Sequence, residues 1–131
     1  MERLLLVALG GSVGAGLRYL TSGLVHRYLD GTFPWGTLTV NVIGSFVLGL
    51  VWALSEEMLV SPGWRASVMV GGIGAFTTFS TYSLETFNLA RYGDLNGAIL
   101  NFLLNNSLGI LSVVFGFTAG KFLIGFLRRT A

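Results

Sequence analysis

The chain has 131 residues, of which 53% are hydrophobic, 11% are charged and 19 are glycine. Soluble domains need about 25% charged residues to cover their surface, so this composition excludes a cytosolic globular enzyme and a disordered tail. The net charge is +2, and the charged residues are scattered singly or in pairs, which argues against a nucleic-acid partner. The lack of cysteine excludes disulfides and thiolate metal sites.

Charged residues divide the chain into runs long enough to cross a membrane. Residues 31–55, 66–84 and 95–120 carry no charge over 25, 19 and 26 positions, and one crossing needs about 20 residues. A further apolar segment, from Leu4 to Val25, is interrupted only by Arg18 and is too long for a cleaved signal peptide. We therefore predict one all-helical membrane domain over residues 1–131. Its four predicted spans lie at about 4–25, 36–54, 66–90 and 97–126.

The charges outside these spans predict little preference for one orientation. Both ends of a four-span chain lie on one side, and lysines and arginines are only slightly more numerous there than on the other side. Glycines recur at spacings of three or four in every span, which lets helix backbones approach closely in lipid. That pattern fits tight packing within one subunit, and its density favours a homo-oligomer.

Polar residues inside the second and fourth spans form two stripes at helical spacing. The second span contributes Thr37, Asn41 and Ser45; the fourth contributes Asn101 and Asn105, followed by Gly109 or Ser112. Such side chains either join helices by hydrogen bonds or line a hydrophilic path. Two separate stripes favour the path.

The third span is a poor candidate for a continuous helix. Three of the four residues 71–74 are glycine, and five serine or threonine residues follow by position 83, which predicts a break between Gly74 and Thr78. Broken helices are tolerated at membrane depth where the freed backbone groups are buried in protein or line a cavity. Phe79 and Tyr82 follow the break on one face, and their positively polarised ring edges can favour an anion.

Three segments resemble the signature segments of the Fluc (CrcB) fluoride channels, in order and at the family's spacing. They are GGSVGAGLRY (10–19), GTLTVNVIGSF (36–46) and GAFTTFSTYSLET (74–86). The resemblance implies an antiparallel, dual-topology homodimer with two fluoride pores in the inner cell membrane. It also implies a structural sodium ion at the centre of the dimer.

The resemblance also implies roles for individual residues. It assigns the paired pore aromatics to Phe79 and Tyr82, the pore-facing asparagine to Asn41, and the sodium-binding backbone carbonyls to Gly74 and Thr77. The remaining matched positions are the hydroxyls Ser80 and Thr81, the intramembrane acid Glu85, the first-span arginine Arg18, and Asn101 and Asn105 with Gly109 in the fourth-span polar track. Thr37 is also expected to line the pore, because it belongs to the polar stripe of the second span.

Two positions depart from the family pattern. The second aromatic is usually phenylalanine, so Tyr82 leaves open whether a ring edge or a phenolic hydroxyl meets the ion. The fourth-span track, often serine and tyrosine in relatives, here consists of asparagines. Arg18 is interpreted first as a tether that caps carbonyls or extends to the membrane interface, and second as an attractor of anions, while the role of Glu85 is left open.

These observations predict a passive, fluoride-selective channel that exports cytoplasmic fluoride and is not an enzyme. Its expected partners are fluoride, a second copy of the chain and the lipid bilayer. The alternative is a proton-coupled transporter of the small four-span kind, for fluoride or another small molecule. A multidrug exporter of that kind needs an acid in the first span, which has only Arg18, and fluoride/proton exchange would depend on Glu85.

Overall fold

The computed structural model describes residues 1–29, 31–57 and 60–130, and over these residues the protein is helical with no strand. The prediction of an all-helical chain is therefore confirmed. In chain order the helices are α1 (Glu2–Tyr28), α2 (Trp35–Glu57), α3 (Pro62–Arg65), a π-helical stretch (Ala66–Ile73), α4 (Gly74–Phe76), α5 (Phe79–Arg91) and α6 (Leu95–Thr130).

Three of these helices, α1, α2 and α6, are long and apolar enough to cross a membrane. They contain 27, 23 and 36 residues. At 1.5 Å per residue, α6 is about 54 Å long and exceeds a hydrocarbon core of about 30 Å, so its ends extend beyond the core. The chain is a multi-pass membrane protein.

The interrupted segment, residues 62–91, comprises α3, the π-helical stretch, α4 and α5. Its backbone leaves helical geometry at Thr77 (φ −81°, ψ 162°) and Thr78 (φ −151°, ψ 116°). The α5 helix restarts at Phe79 because the Thr78 hydroxyl oxygen caps it, accepting the backbone N–H of Thr81 at 3.2 Å. The predicted break is confirmed, and it lies at the C-terminal end of the predicted interval.

Glycines allow the helices to pack backbone against backbone. A Cβ atom on Gly14 of α1 would collide with the carbonyl of Gly72 in the π-helical stretch. A Cβ on Gly116 of α6 would likewise collide with the carbonyl of Phe46 in α2. These glycines therefore serve packing within the chain, whereas Gly11 on α1 faces open space. In this way α1 packs on the π-helical stretch and α2 packs on α6.

Candidate functional site

Asn41 of α2 supports the break by forming hydrogen bonds with both the backbone N–H and the carbonyl of Thr78. The Thr78 N–H donates to Asn41 Oδ1 at 2.8 Å, and Asn41 Nδ2 donates to the Thr78 carbonyl at 3.1 Å. A backbone group left unpaired away from water is costly, so this amide replaces the missing helical bonds. Asn41 thus has a structural role in addition to any contact with an ion.

The second amide hydrogen of Asn41 begins a chain of hydrogen bonds across α6 to α5. Asn41 Nδ2 donates to Asn105 Oδ1 at 2.9 Å, and Asn105 Nδ2 donates to Asn101 Oδ1 at 2.8 Å. Asn101 Nδ2 then donates to Thr86 Oγ1 at 2.8 Å, and the Thr86 hydroxyl donates to the Tyr82 carbonyl at 2.8 Å. Asn101 is 0% exposed, and its hydrogen bonds join α6 to α5.

The two aromatic rings after the break form an edge-to-face pair. Their centroids are 5.4 Å apart and their planes cross at 61°. Tyr82 is buried, and its hydroxyl accepts Asn106 Nδ2 at 3.0 Å, whereas Phe79 is 77% exposed. The sequence interpretation missed Asn106, although Tyr82 signals the need for a partner because a buried phenol generally requires one.

The aromatic pair lies beside a cavity of about 220 Å³ that we name the aromatic cavity. Side chains from three helices meet there: Asn41 and Ser45 from α2, Phe79 and Tyr82 from α5, and Asn105 and Asn106 from α6. Thr77 and Thr78 complete its polar wall. The fold therefore brings together residues that are more than sixty positions apart in the chain, and it does so at the helix break.

A larger cavity of about 680 Å³, the Arg18 cavity, borders the same break. Its walls include Arg18 from α1, Thr37 from α2, and Thr78 and Thr81 from the interrupted segment. The Thr78 hydroxyl lies 3.0 Å from that of Thr81 and 3.4 Å from that of Ser80. Thr78 lines both this cavity and the aromatic cavity, so the two cavities share a wall at the break.

Arg18 reaches from α1 to the break and donates from Nη1 to the Thr77 carbonyl at 3.3 Å. This contact is the tether expected from the sequence. The amides that would bond the carbonyls of Gly74 and Thr77 in a continuous helix belong to Thr78 and Thr81. Those amides instead donate to Asn41 Oδ1 and Thr78 Oγ1, so the two carbonyls lie outside the helical ladder.

Thr37 and Glu85 form a separate pair away from the aromatic cavity. The Thr37 hydroxyl is buried and donates to Glu85 Oε1 at 2.8 Å. Glu85 Oε2 is buried and has no hydrogen-bond partner among the described residues. Glu85 lines a third cavity of about 450 Å³, the Glu85 cavity, together with His26, Asn88 and Asp94. Thr37 therefore has a different hydrogen-bond partner from Asn41, although the two share a helical stripe.

The fold and these cavities define a multi-pass membrane protein in which two cavities border a helix break. The chain belongs to the family described as CrcB-like protein, Camphor Resistance (CrcB), whose sequence profile matches residues 5–117. The resemblance found in the sequence is thereby confirmed.

Individual relatives share close to half of their residues with this chain. The fluoride-specific ion channel FluC of Magnetococcus marinus is 47% identical over 116 residues, which are 88% of this chain and 94% of that relative. The proteins of the same name from Shewanella oneidensis and Shewanella putrefaciens are 49% and 50% identical over the same shares.

Proposed function

We propose that this protein is a passive, fluoride-selective channel of the inner cell membrane that exports cytoplasmic fluoride and so lowers its toxicity. Family membership carries this proposal, because the relatives are named fluoride-specific ion channels. The chain is accordingly a channel and not an enzyme. Proton-coupled transport, the alternative, is not favoured by these relatives.

The proposed fluoride path uses the aromatic cavity and the hydroxyls of the break. The hydroxyls of Ser80 and Thr81 offer uncharged donors to a small, strongly hydrated anion. Asn41 and Asn105 line the aromatic cavity and hold its wall in place, because their amide hydrogens are bonded within the protein. The Phe79 edge adds a weakly positive surface without a formal charge that would trap the ion. Asn101, Thr37, Glu85 and the Tyr82 hydroxyl support this path through the hydrogen bonds described above.

An antiparallel, dual-topology homodimer is supported by the polar face that one copy leaves open. Ser80, Thr81 and Ser83 of α5 are exposed, and Phe79 beside them is 77% exposed. Hydroxyls that face lipid are unfavourable, whereas a second copy crossing at the break would cover them and close the path. The weak charge bias of the sequence agrees with insertion in both orientations.

A structural sodium ion at the centre of the dimer agrees with the chemistry of the break. The carbonyls of Gly74 and Thr77 lie outside the helical ladder, and carbonyl oxygens can replace the hydration shell of a small cation. Two antiparallel copies would supply four such oxygens. Exchanging sodium for a bulky organic cation during purification should reduce dimer stability and fluoride flux. If both are unchanged after verified removal of every small cation, the sodium proposal is wrong.

The channel proposal is tested by anion efflux from proteoliposomes. Passive fluoride efflux without a proton gradient, and much slower chloride efflux, are expected. Phe79→Ile removes the ring edge and should reduce fluoride efflux, whereas Phe122→Ile is a matched control because Phe122 is also 77% exposed but lies near the end of α6. Chloride passing as fast as fluoride would refute selectivity, and dependence on a proton gradient would favour the transporter.

A further inference from the structure

His26 occupies a position that the fluoride path does not yet explain. It lies in the last turn of α1 and is exposed. Its imidazole lies against the start of α2, where a Cβ on Gly36 would be 3.1 Å from His26 Nε2. His26 lines both the Arg18 cavity and the Glu85 cavity, so it stands where these two spaces meet.

The two cavities carry opposite charges on either side of this imidazole. Arg18 and Arg27 line one, and Glu85 and Asp94 line the other. The buried Glu85 Oε2 has no hydrogen-bond partner among the described residues, so His26 is the basic side chain that shares a cavity with it. The Glu85 carboxylate repels an anion that enters these neighbouring cavities unless a cation offsets it.

We propose that protonated His26 captures small inorganic anions where the Arg18 cavity and the Glu85 cavity meet, in concert with Arg18 and Arg27, so that acid increases the supply of fluoride to the path. Histidine is the side chain whose charge ordinarily changes between about pH 5 and 8. The inference rests on the proposed fluoride conduction and adds a pH-dependent capture residue to it.

Both electrostatic effects of protonation act in the same direction. A positive imidazole adds to the charges of the Arg18 cavity, and it offsets the carboxylate of Glu85 in the neighbouring cavity. The charged and titratable groups that line these two cavities with His26 are Arg18, Tyr19, Arg27, Glu85, Tyr92 and Asp94. One positive charge at roughly 8 Å from an anion in water raises the local concentration of that anion about two- to threefold.

Fluoride current across planar bilayers tests the proposal, because neutral HF carries no current. With fluoride well below saturation and both sides at the same pH, lowering the pH from 7.5 to 5.5 should raise the wild-type current about two- to threefold. His26→Gln should give a low current that is independent of pH, and His26→Lys a high one. The increase should shrink at high ionic strength, since salt screens exposed charges.

Asp94→Asn is the matched control for other groups of the same cavity. Asp94 Oδ1 accepts the backbone N–H of Gly97 at 2.8 Å to begin α6, and asparagine can keep that bond. This variant should retain the pH response. A response that survives in His26→Gln, or that is lost in Asp94→Asn alone, overturns the inference. Wild-type current without any pH response overturns only this inference, whereas no fluoride current at any pH overturns the proposed channel as well.

Discussion

Replacing Asn41 by leucine should destabilise the protein by removing the support of the helix break. The substitution nearly conserves volume but deletes three hydrogen bonds, two to the Thr78 backbone and one to Asn105. Each partner left unpaired in a buried position costs about 1–3 kcal/mol, and partial access of water reduces the sum to about 3 kcal/mol. For a chain of this size, that corresponds to a fall in Tm of roughly 10 °C.

Thermal unfolding in detergent, followed by the loss of the folded peak on size exclusion, measures this effect. Asn96→Leu is the control, since Asn96 is exposed in the first turn of α6 and should leave Tm within about 1 °C. Asn41→Asp should keep the bond from the Thr78 N–H but lose both donated bonds. If Asn41→Leu is as stable as Asn96→Leu, the break does not depend on this amide, and the structural role assigned to it is wrong.

Three further outcomes are expected. Phe79→Ile should lower fluoride flux about tenfold, which is equivalent to about 1.4 kcal/mol, whereas Tyr82→Phe should lower the flux only slightly. If the flux falls more in Tyr82→Phe than in Phe79→Ile, the Tyr82 hydroxyl and not the ring edge contacts the anion. Gly116→Ala should lower Tm because its Cβ meets the Phe46 carbonyl, whereas Gly125→Ala points into open space and should not; equal Tm values would contradict the packing. Adding two or three lysines to one side of the protein should force a single orientation and abolish flux, and co-expressing variants biased in opposite directions should restore it. Full activity from one forced orientation would refute the antiparallel dimer.

The sequence alone determined the features that depend on local chemistry. Runs without charge predicted the apolar helices, because a backbone in lipid must satisfy its own hydrogen bonds. Glycines and hydroxyls clustered at 71–83 predicted a helix break, since both residue types weaken a helix where they occur. The three signature segments also predicted the family correctly, since the family's sequence profile matches residues 5–117, which include all three segments.

Only the tertiary structure decided which polar groups meet. Helical spacing placed Thr37 and Asn41 on one stripe, but neighbouring helices direct Thr37 to Glu85 and Asn41 to Thr78. Asn106 gained its role through contact with Tyr82, 24 positions earlier in the chain. Spacing along one helix defines a direction and not a partner, since the partner depends on how helices cross. In this protein the crossings are set by backbone contacts at glycines, which a sequence pattern does not pair.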